Sequence, residues 1–302
     1  MCDGIVNVYK EKGYTSHDVV AKLRGIFKMK KIGHTGTLDP EAVGVLPVCF
    51  GSGTKLCDLI TDWDKEYIAV LRLGVVTDTQ DMTGKILSQC SAELIENLTE
   101  TQVWDVIMDF VGNYDQIPPM YSALKVDGKK LYELAREGKE VERKPRTVQI
   151  KEIEIQSIEL PLVRMRIVCS KGTYIRTLCH DIGAELGCGG AMESLTRSRV
   201  GIFGIGNALT LAELEKLRDE DKIWIVMIPP DAIFEKDKRV IVNKQGKKMV
   251  QNGNQLTSEQ LARPVQLADG EQVRVYDRDG RFYGIYDYHE GGKILKPIKM
   301  FL

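Results

Sequence analysis

Apolar positions along the chain follow two periods. After the hydroxyl of Ser16, a candidate N-cap, Val19, Val20, Leu23, Ile26 and Phe27 form the stripe of an amphipathic helix, extended with positive charge by Lys22, Arg24, Lys28, Lys30 and Lys31. Tyr67, Ala69, Leu71 and Leu73 alternate with Ile68, Val70 and Arg72, which predicts a strand. Val148 to Ile155 and Val163 to Cys169 alternate in the same way. Thr99 and Gln102 form a capping-box pair ahead of Val103, Val106, Ile107 and Phe110, predicting a second helix. Leu211 to Leu217 predicts a third, before the apolar run Ile223 to Ile228.

Gly33 to Lys55 carries five glycines with Pro40 and Pro47, the composition of a long structured loop entering a short buried strand from Val45 to Phe50. Gly74 to Gly84 reads as a polar turn. Helices and strands mix without a regular βαβ repeat, so the expected class is α+β. Pro229-Pro230 marks a boundary. Beyond it, strand-like pieces at Val240 to Val242, Val273 to Tyr276, Phe282 to Tyr286 and Ile294 predict a small β-rich module over 236–302, following a first domain over 1–230.

Composition narrows the class. With 43% hydrophobic and 28% charged residues among 302, the chain is an ordinary globular protein. Its apolar runs fall far short of the roughly 20 residues a membrane helix needs. The N-terminus has no basic segment followed by an apolar core, so a cytoplasmic location and no membrane partner are expected. Seven cysteines without a C-x-x-C pair argue for reduced thiols rather than disulfides or zinc. Net charge is -1, but it is unevenly spread. Residues 56–120 carry twelve acids and three bases, whereas 1–34, 122–151 and 236–302 are net +4, +4 and +5. Nucleic acid is therefore possible, although each basic stretch can equally be a solvated surface.

Two nucleotide motifs fail. Gly51-Ser-Gly-Thr-Lys55 lacks the P-loop ending, and Gly201-Ile-Phe-Gly-Ile-Gly206 is not G-x-G-x-x-G. The four histidines are scattered, so no metal is expected. Asp39, in Gly33-His-Thr-Gly-Thr-Leu-Asp-Pro40, is open to two readings: an N-cap with Pro at the first helical position, or a partly buried functional acid. Gly44 and Pro47 leave little room for a helix there. Tyr174 and Arg176 project to one side if the strand through Cys169 stays extended. An Arg beside a catalytic carboxylate would keep it ionised and aim it through a bidentate contact.

In order along nearly the whole chain, these segments resemble the TruB-type tRNA pseudouridine-55 synthase family. Gly33 to Pro40 is similar to its catalytic motif, Lys65-Glu66-Tyr67 to its tyrosine motif, and Gly172-Thr173-Tyr174-Ile175-Arg176 to its third. Leu73-Gly74 with Thr77, Asp78, Thr79 and Asp81, Pro118 to Lys125, Leu131 to Arg136, and Leu195 to Gly201 match further segments. The resemblance implies a pseudouridine-synthase domain with a mixed, largely antiparallel sheet flanked by helices, and a PUA-like C-terminal RNA-binding module. It also implies isomerisation of uridine 55 in the tRNA T stem-loop by base flipping, with no cofactor, in a monomer needing no protein partner. By the same resemblance Asp39 is the essential carboxylate, attacking sugar or base or removing a ribose proton. Tyr67 stacks on the base and takes part in the last proton removal, Tyr174 and Leu195 line the uracil pocket, Arg176 pairs with Asp39, and His34 fills the space the uridine leaves. Two departures stand out: Glu11 where the family usually has Pro, and Thr196 where Arg is common.

Two other functions fit parts of the pattern. A protein that binds and refolds tRNA without chemistry would need the basic surface but not Asp39, Tyr67, Tyr174 and Arg176. A glycosidase would need paired carboxylates such as Asp78 and Asp81, whose polar turn suits a solvated loop better.

Overall fold

The computed structural model describes residues 3–122, 124–126 and 128–302; one of the seven cysteines, Cys2, and Ala123 of the Pro118 to Lys125 segment lie outside them. The α+β expectation holds. A nine-stranded sheet runs, edge to edge, through Gly4–Lys10, Val43–Phe50, Gly190–Val200, Lys65–Leu73, Leu162–Cys169, Arg146–Glu159 and Gly112–Gln116. Ile32–His34 adds to the Val43–Phe50 strand and Phe203–Gly204 to the Gly190–Val200 strand. Every pairing is antiparallel except one: Gly190–Val200 meets Val43–Phe50 in parallel, Thr196 opposite Val43 and Arg197 opposite Gly44. That seam joins segments about 150 residues apart in sequence, and the Asp39 loop feeds into it.

The alternation in Lys65–Leu73 is realised in full, with Lys65, Tyr67, Ala69, Leu71 and Leu73 on the buried face. Helices Glu100–Asp109 and Ile175–Glu185 cover that face, burying Val103, Ile107, Ile175, Leu178 and Ile182 against it. Helices Ser16–Phe27 and Leu211–Asp219 pack Leu23, Phe27 and Leu214 against Val6, Leu46, Val48 and Phe50 near the other edge. Burying each such side chain removes roughly 1.5–3 kcal/mol of apolar exposure, which ties the seam to both helical layers.

Three local expectations change. The first helix is capped by Thr15, not Ser16: Thr15 and Asp18 form a reciprocal capping box, which frees the Ser16 hydroxyl for tertiary contact. Gly74 to Gly84 is not only a turn, because Val75–Thr77 pairs with Ile86–Gln89 as a hairpin. The strand through Cys169 does not continue to Arg176. Tyr174 is an N-cap and Ile175 starts a helix, so Tyr174 and Arg176 converge across a helix start rather than along a strand.

A second, five-stranded sheet is formed by Lys238–Ile241, Gln272–Tyr276, Phe282–His289, Ile294–Met300 and Leu256–Thr257. It includes a helix, Lys244–Gln251, that alternation did not predict. Its core of Val240, Val273, Val275, Tyr283 and Tyr286 is its own. The chain returns to the large sheet through Phe301, which packs with Ile5, Val45 and Phe203. Among the described residues, no helix is long and apolar enough to cross a membrane.

Candidate active site

Asp39 lies in a turn closed by the Ala42 N–H donating to the Asp39 carbonyl at 3.1 Å, and no helix follows it. The loop is pinned on three sides. Buried Ser16 accepts from the Leu38 N–H at 2.9 Å. Lys10, with no exposed surface, donates to the carbonyls of Tyr14 at 2.7 Å, Pro40 at 3.0 Å and Glu11 at 3.2 Å. From behind, Arg197 donates through Nε to the Val45 carbonyl at 2.7 Å and through Nη2 to the Gly36 carbonyl at 3.2 Å. Asp39 is thus held by its neighbours' backbone while its own side chain stays 38% exposed.

Arg176 stands beside the carboxylate. Its Nη2 is 3.4 Å from Oδ2 and 3.5 Å from Oδ1 of Asp39, and donates to the Tyr121 carbonyl at 2.6 Å. The contact comes from one nitrogen, not from the two-pronged fork the residue type allows. The Arg176 side chain is only 7% exposed, so its charge acts in a partly dry environment where it counts for more than in water.

Tyr174 lies with its ring centroid 5.9 Å from the Arg176 guanidinium carbon. Its backbone is clamped by Gln116, which accepts from the Tyr174 N–H at 2.8 Å and donates to its carbonyl at 2.9 Å. Tyr67 and Arg197 are directly opposed across adjacent strands, and the Arg197 charge opposes the effect of burial on the phenol. Burial raises the phenols of both Tyr67 and Tyr174, and the Asp39 charge adds to the rise, so both are neutral near pH 7. Leu195 is partly buried against the same core, opposite Ala69 and two residues before Arg197, hence on the same sheet face as Tyr67.

His34 sits at the far end of the loop. Its ring meets His17 edge-on at 5.3 Å, and its Nδ1 accepts from the Gly36 N–H at 3.3 Å. Burial, followed by His17 and Arg197, pushes its pKa below the usual histidine value, leaving an uncharged ring suited to stacking.

Arg176, Tyr174 and Tyr67 are therefore gathered around one carboxylate, that of Asp39, and His34 is joined to them through the loop. Arg197 was missed from sequence because an Arg in an alternating strand reads as solvated. A bulge between Met192 and Ser194 shifts the alternation so that Leu195 and Arg197 face inward opposite Ala69 and Tyr67, leaving Arg197 1% exposed. The support roles of Gln116, Ser16 and Lys10 carry no local sequence signal either, because the backbone groups of Tyr174, Leu38 and Pro40 that they hold lie 58, 22 and 30 residues away. Asp78 and Asp81 are spent on the hairpin, accepting from the Lys85 N–H and from Thr79 and Thr83. Among the described residues, no three His, Cys, Asp or Glu gather as a metal-ligand set.

The sequence profile of the TruB family pseudouridylate synthase N-terminal domain matches residues 24–175, and that of the tRNA pseudouridylate synthase B C-terminal domain matches 176–235. The chain belongs to the TruB family. It is 52% identical to tRNA pseudouridine synthase B of Lachnoclostridium phytofermentans, covering 99% of this chain and 100% of that one. It is 45% identical to the protein of the same name from Alkaliphilus oremlandii, over 91% of this chain and 89% of that one. Among solved structures, a chain of an H/ACA RNP bound to a substrate RNA containing 2'-deoxyuridine superposes with a TM-score of 0.71. The two are 25% identical, over 99% of this chain and 85% of that one. The TruB profiles meet between Ile175 and Arg176, at the helix start where the Arg176 guanidinium reaches the Asp39 loop.

Proposed function

We propose that this TruB-family enzyme isomerises uridine 55 in the T loop of tRNA to pseudouridine, with Asp39 as the essential catalytic residue. The observation that carries the reading is the Asp39 carboxylate itself: partly exposed, fixed by a loop pinned at Leu38 and Pro40, and faced by the Arg176 guanidinium. A target uridine must leave its stack, at a cost of a few kcal/mol, before its glycosidic bond can be reached. The neutral His34 ring fills the vacated position, and the neutral Tyr67 ring stacks on the extruded base, the usual mode for splayed RNA bases. Tyr174 and Leu195 close the uracil pocket.

The bond from N1 to the ribose C1′ breaks, the base turns, and C5 bonds to C1′. The C5 proton leaves and N1 gains one, so atoms and electrons balance without a cofactor. Asp39 acts on the sugar or on the base, or removes a ribose proton, and Arg176 beside it orients the carboxylate. As a neutral phenol, Tyr67 takes the C5 proton only if its own proton passes on at the same time. All of these groups come from one chain, which suits a monomer with no protein partner, working on tRNA in the cytoplasm. In this reading residues 1–230 form the catalytic domain and 236–302 a PUA-like RNA-binding domain, which adds thirteen bases against eight acids to the RNA surface.

The test is tritium release from an unmodified T-arm stem-loop labelled at uracil C5, with and without its target uridine. Wild type should release tritium only when the target is present, and Asp39→Asn should release none while binding RNA within severalfold. Turnover by Asp39→Asn would remove Asp39 from its role. Tight, salt-sensitive binding by wild type without release would leave a protein that refolds tRNA.

A further inference from the structure

A cavity of about 520 Å³ opens beside the Asp39 loop, between the first helix and the Ile32–His34 strand. Its polar lining is His17, Arg24, Lys30, Lys31, His34 and Thr54, and no carboxylate lines it. Lys12 meets Glu41 at 3.0 Å, Lys151 meets Asp64 at 2.6 Å and Lys171 meets Asp62 at 2.7 Å, while buried Lys10 and Lys65 are satisfied by backbone carbonyls. None of the ion pairs formed among the described residues uses Arg24, Lys30 or Lys31. Arg24 sits in the last turn of its helix, where a cation offsets the helix dipole, but Lys30 and Lys31 lie beyond it.

The turn carrying those lysines is rigid. Lys28 adopts a left-handed conformation (φ 50°), the Met29 N–H donates to the Arg24 carbonyl at 3.2 Å, and the Gly51 N–H donates to the Lys31 carbonyl at 2.9 Å. Three cations gathered around one cavity without counter-charge repel one another, so their arrangement serves an anion rather than stability. The cavity wall includes His34, which the catalytic reading places against the RNA.

We propose that this cavity is a phosphodiester subsite, in which Arg24, Lys30 and Lys31 hold the backbone of the substrate RNA next to the extruded nucleotide. The Thr54 hydroxyl and the His17 ring complete its polar wall, and the subsite orients the strand while leaving the chemistry to Asp39. This rests on the synthase reading above.

The test uses the full chain and the same stem-loop. Lys30→Gln and Lys31→Gln should each raise KM, leave kcat at saturating RNA unchanged, and lower the slope of log Kd against log salt by about 1. Lys85→Gln, an exposed lysine on the acidic stretch, serves as the control and should shift neither. Single neutral methylphosphonate linkages are then placed in turn around the target. At one or two of them, wild type should bind no better than Lys31→Gln. Lysine variants that behave like Lys85→Gln, or a wild-type advantage that survives every neutral linkage, would overturn the subsite. Failure of the synthase reading is separate, since it would show as no tritium release by wild type whatever the lysine variants do to the salt slope.

Discussion

Arg176 reaches Asp39 through one nitrogen, 3.4 and 3.5 Å from the two carboxylate oxygens, while the same nitrogen makes its shorter bond, 2.6 Å, to the Tyr121 carbonyl. The guanidinium is thus anchored by backbone and leans on the carboxylate without saturating it. Among the described residues, both oxygens of Asp39 keep lone pairs free of protein donors other than this one nitrogen.

Arg176→Lys should separate anchoring from charge. An ammonium on a shorter, flexible stem does not reproduce the fixed Nη2 position from which the planar guanidinium meets the Tyr121 carbonyl and the carboxylate together. Single-turnover rates on the stem-loop should fall by about 10²-fold or more, the scale of losing one preorganised electrostatic contact, with RNA binding within severalfold of wild type. An unchanged rate would show that the pair has no part in the reaction.

Arg197→Lys should cost both stability and rate. The substitution abandons at least one of the buried carbonyls of Val45 and Gly36, and an unsatisfied buried acceptor costs about 1–3 kcal/mol. Urea unfolding should show a lower midpoint at unchanged slope. Turnover per folded molecule should fall as well, because the Gly36 end of the loop is released. Full turnover in a destabilised variant would make Arg197 a purely structural residue.

Gln116→Leu tests the clamp on Tyr174. It removes two hydrogen bonds, at 2.8 and 2.9 Å, to the N–H and the carbonyl of Tyr174, from a residue only 1% exposed. The Tyr174 backbone should loosen at the start of the Ile175–Glu185 helix, raising KM more than it lowers kcat. Gln116→Glu keeps the acceptor and should fall between wild type and Leu. Equal KM in all three would rule out the clamp.

Lys10 makes stability depend on pH. Burial is the main cause that lowers its pKa from 10.5 to about 8, with Asp39 opposing the shift. Between about pH 8 and 10.5 the unfolded chain holds a proton that the folded one has released, so Lys10 makes folding more favourable as pH rises through that window. Lys10→Met abolishes this contribution. From pH 8 to 10, wild type should gain up to about 2 kcal/mol relative to Lys10→Met in chemical denaturation. Parallel pH profiles would mean that Lys10 stays protonated across the window.

The sequence by itself determined the elements whose signals are local. Period-two burial over Lys65–Leu73 and the Thr99–Gln102 capping box are consequences of backbone geometry acting over a few residues, and both stand in the fold. The motif around Asp39 and the one around Arg176 were also legible, because each clusters unusual side chains in a short stretch. Tertiary structure alone decided what surrounds them. Tyr174 and Arg176 were expected on an extended strand, yet the helix begins at Ile175, where that chain folds down onto the core face of the sheet. Ser16 looked like a cap until Thr15 took that position and left the Ser16 hydroxyl to hold Leu38. Arg197 becomes the rear support of the Asp39 loop only because the parallel seam and the bulge between Met192 and Ser194 aim it at carbonyls about 150 residues earlier. Local pattern reports which face a side chain takes. It carries no record of which distant backbone groups are left without a hydrogen bond, and in this fold buried Lys10, Gln116 and Arg197 are spent on those groups.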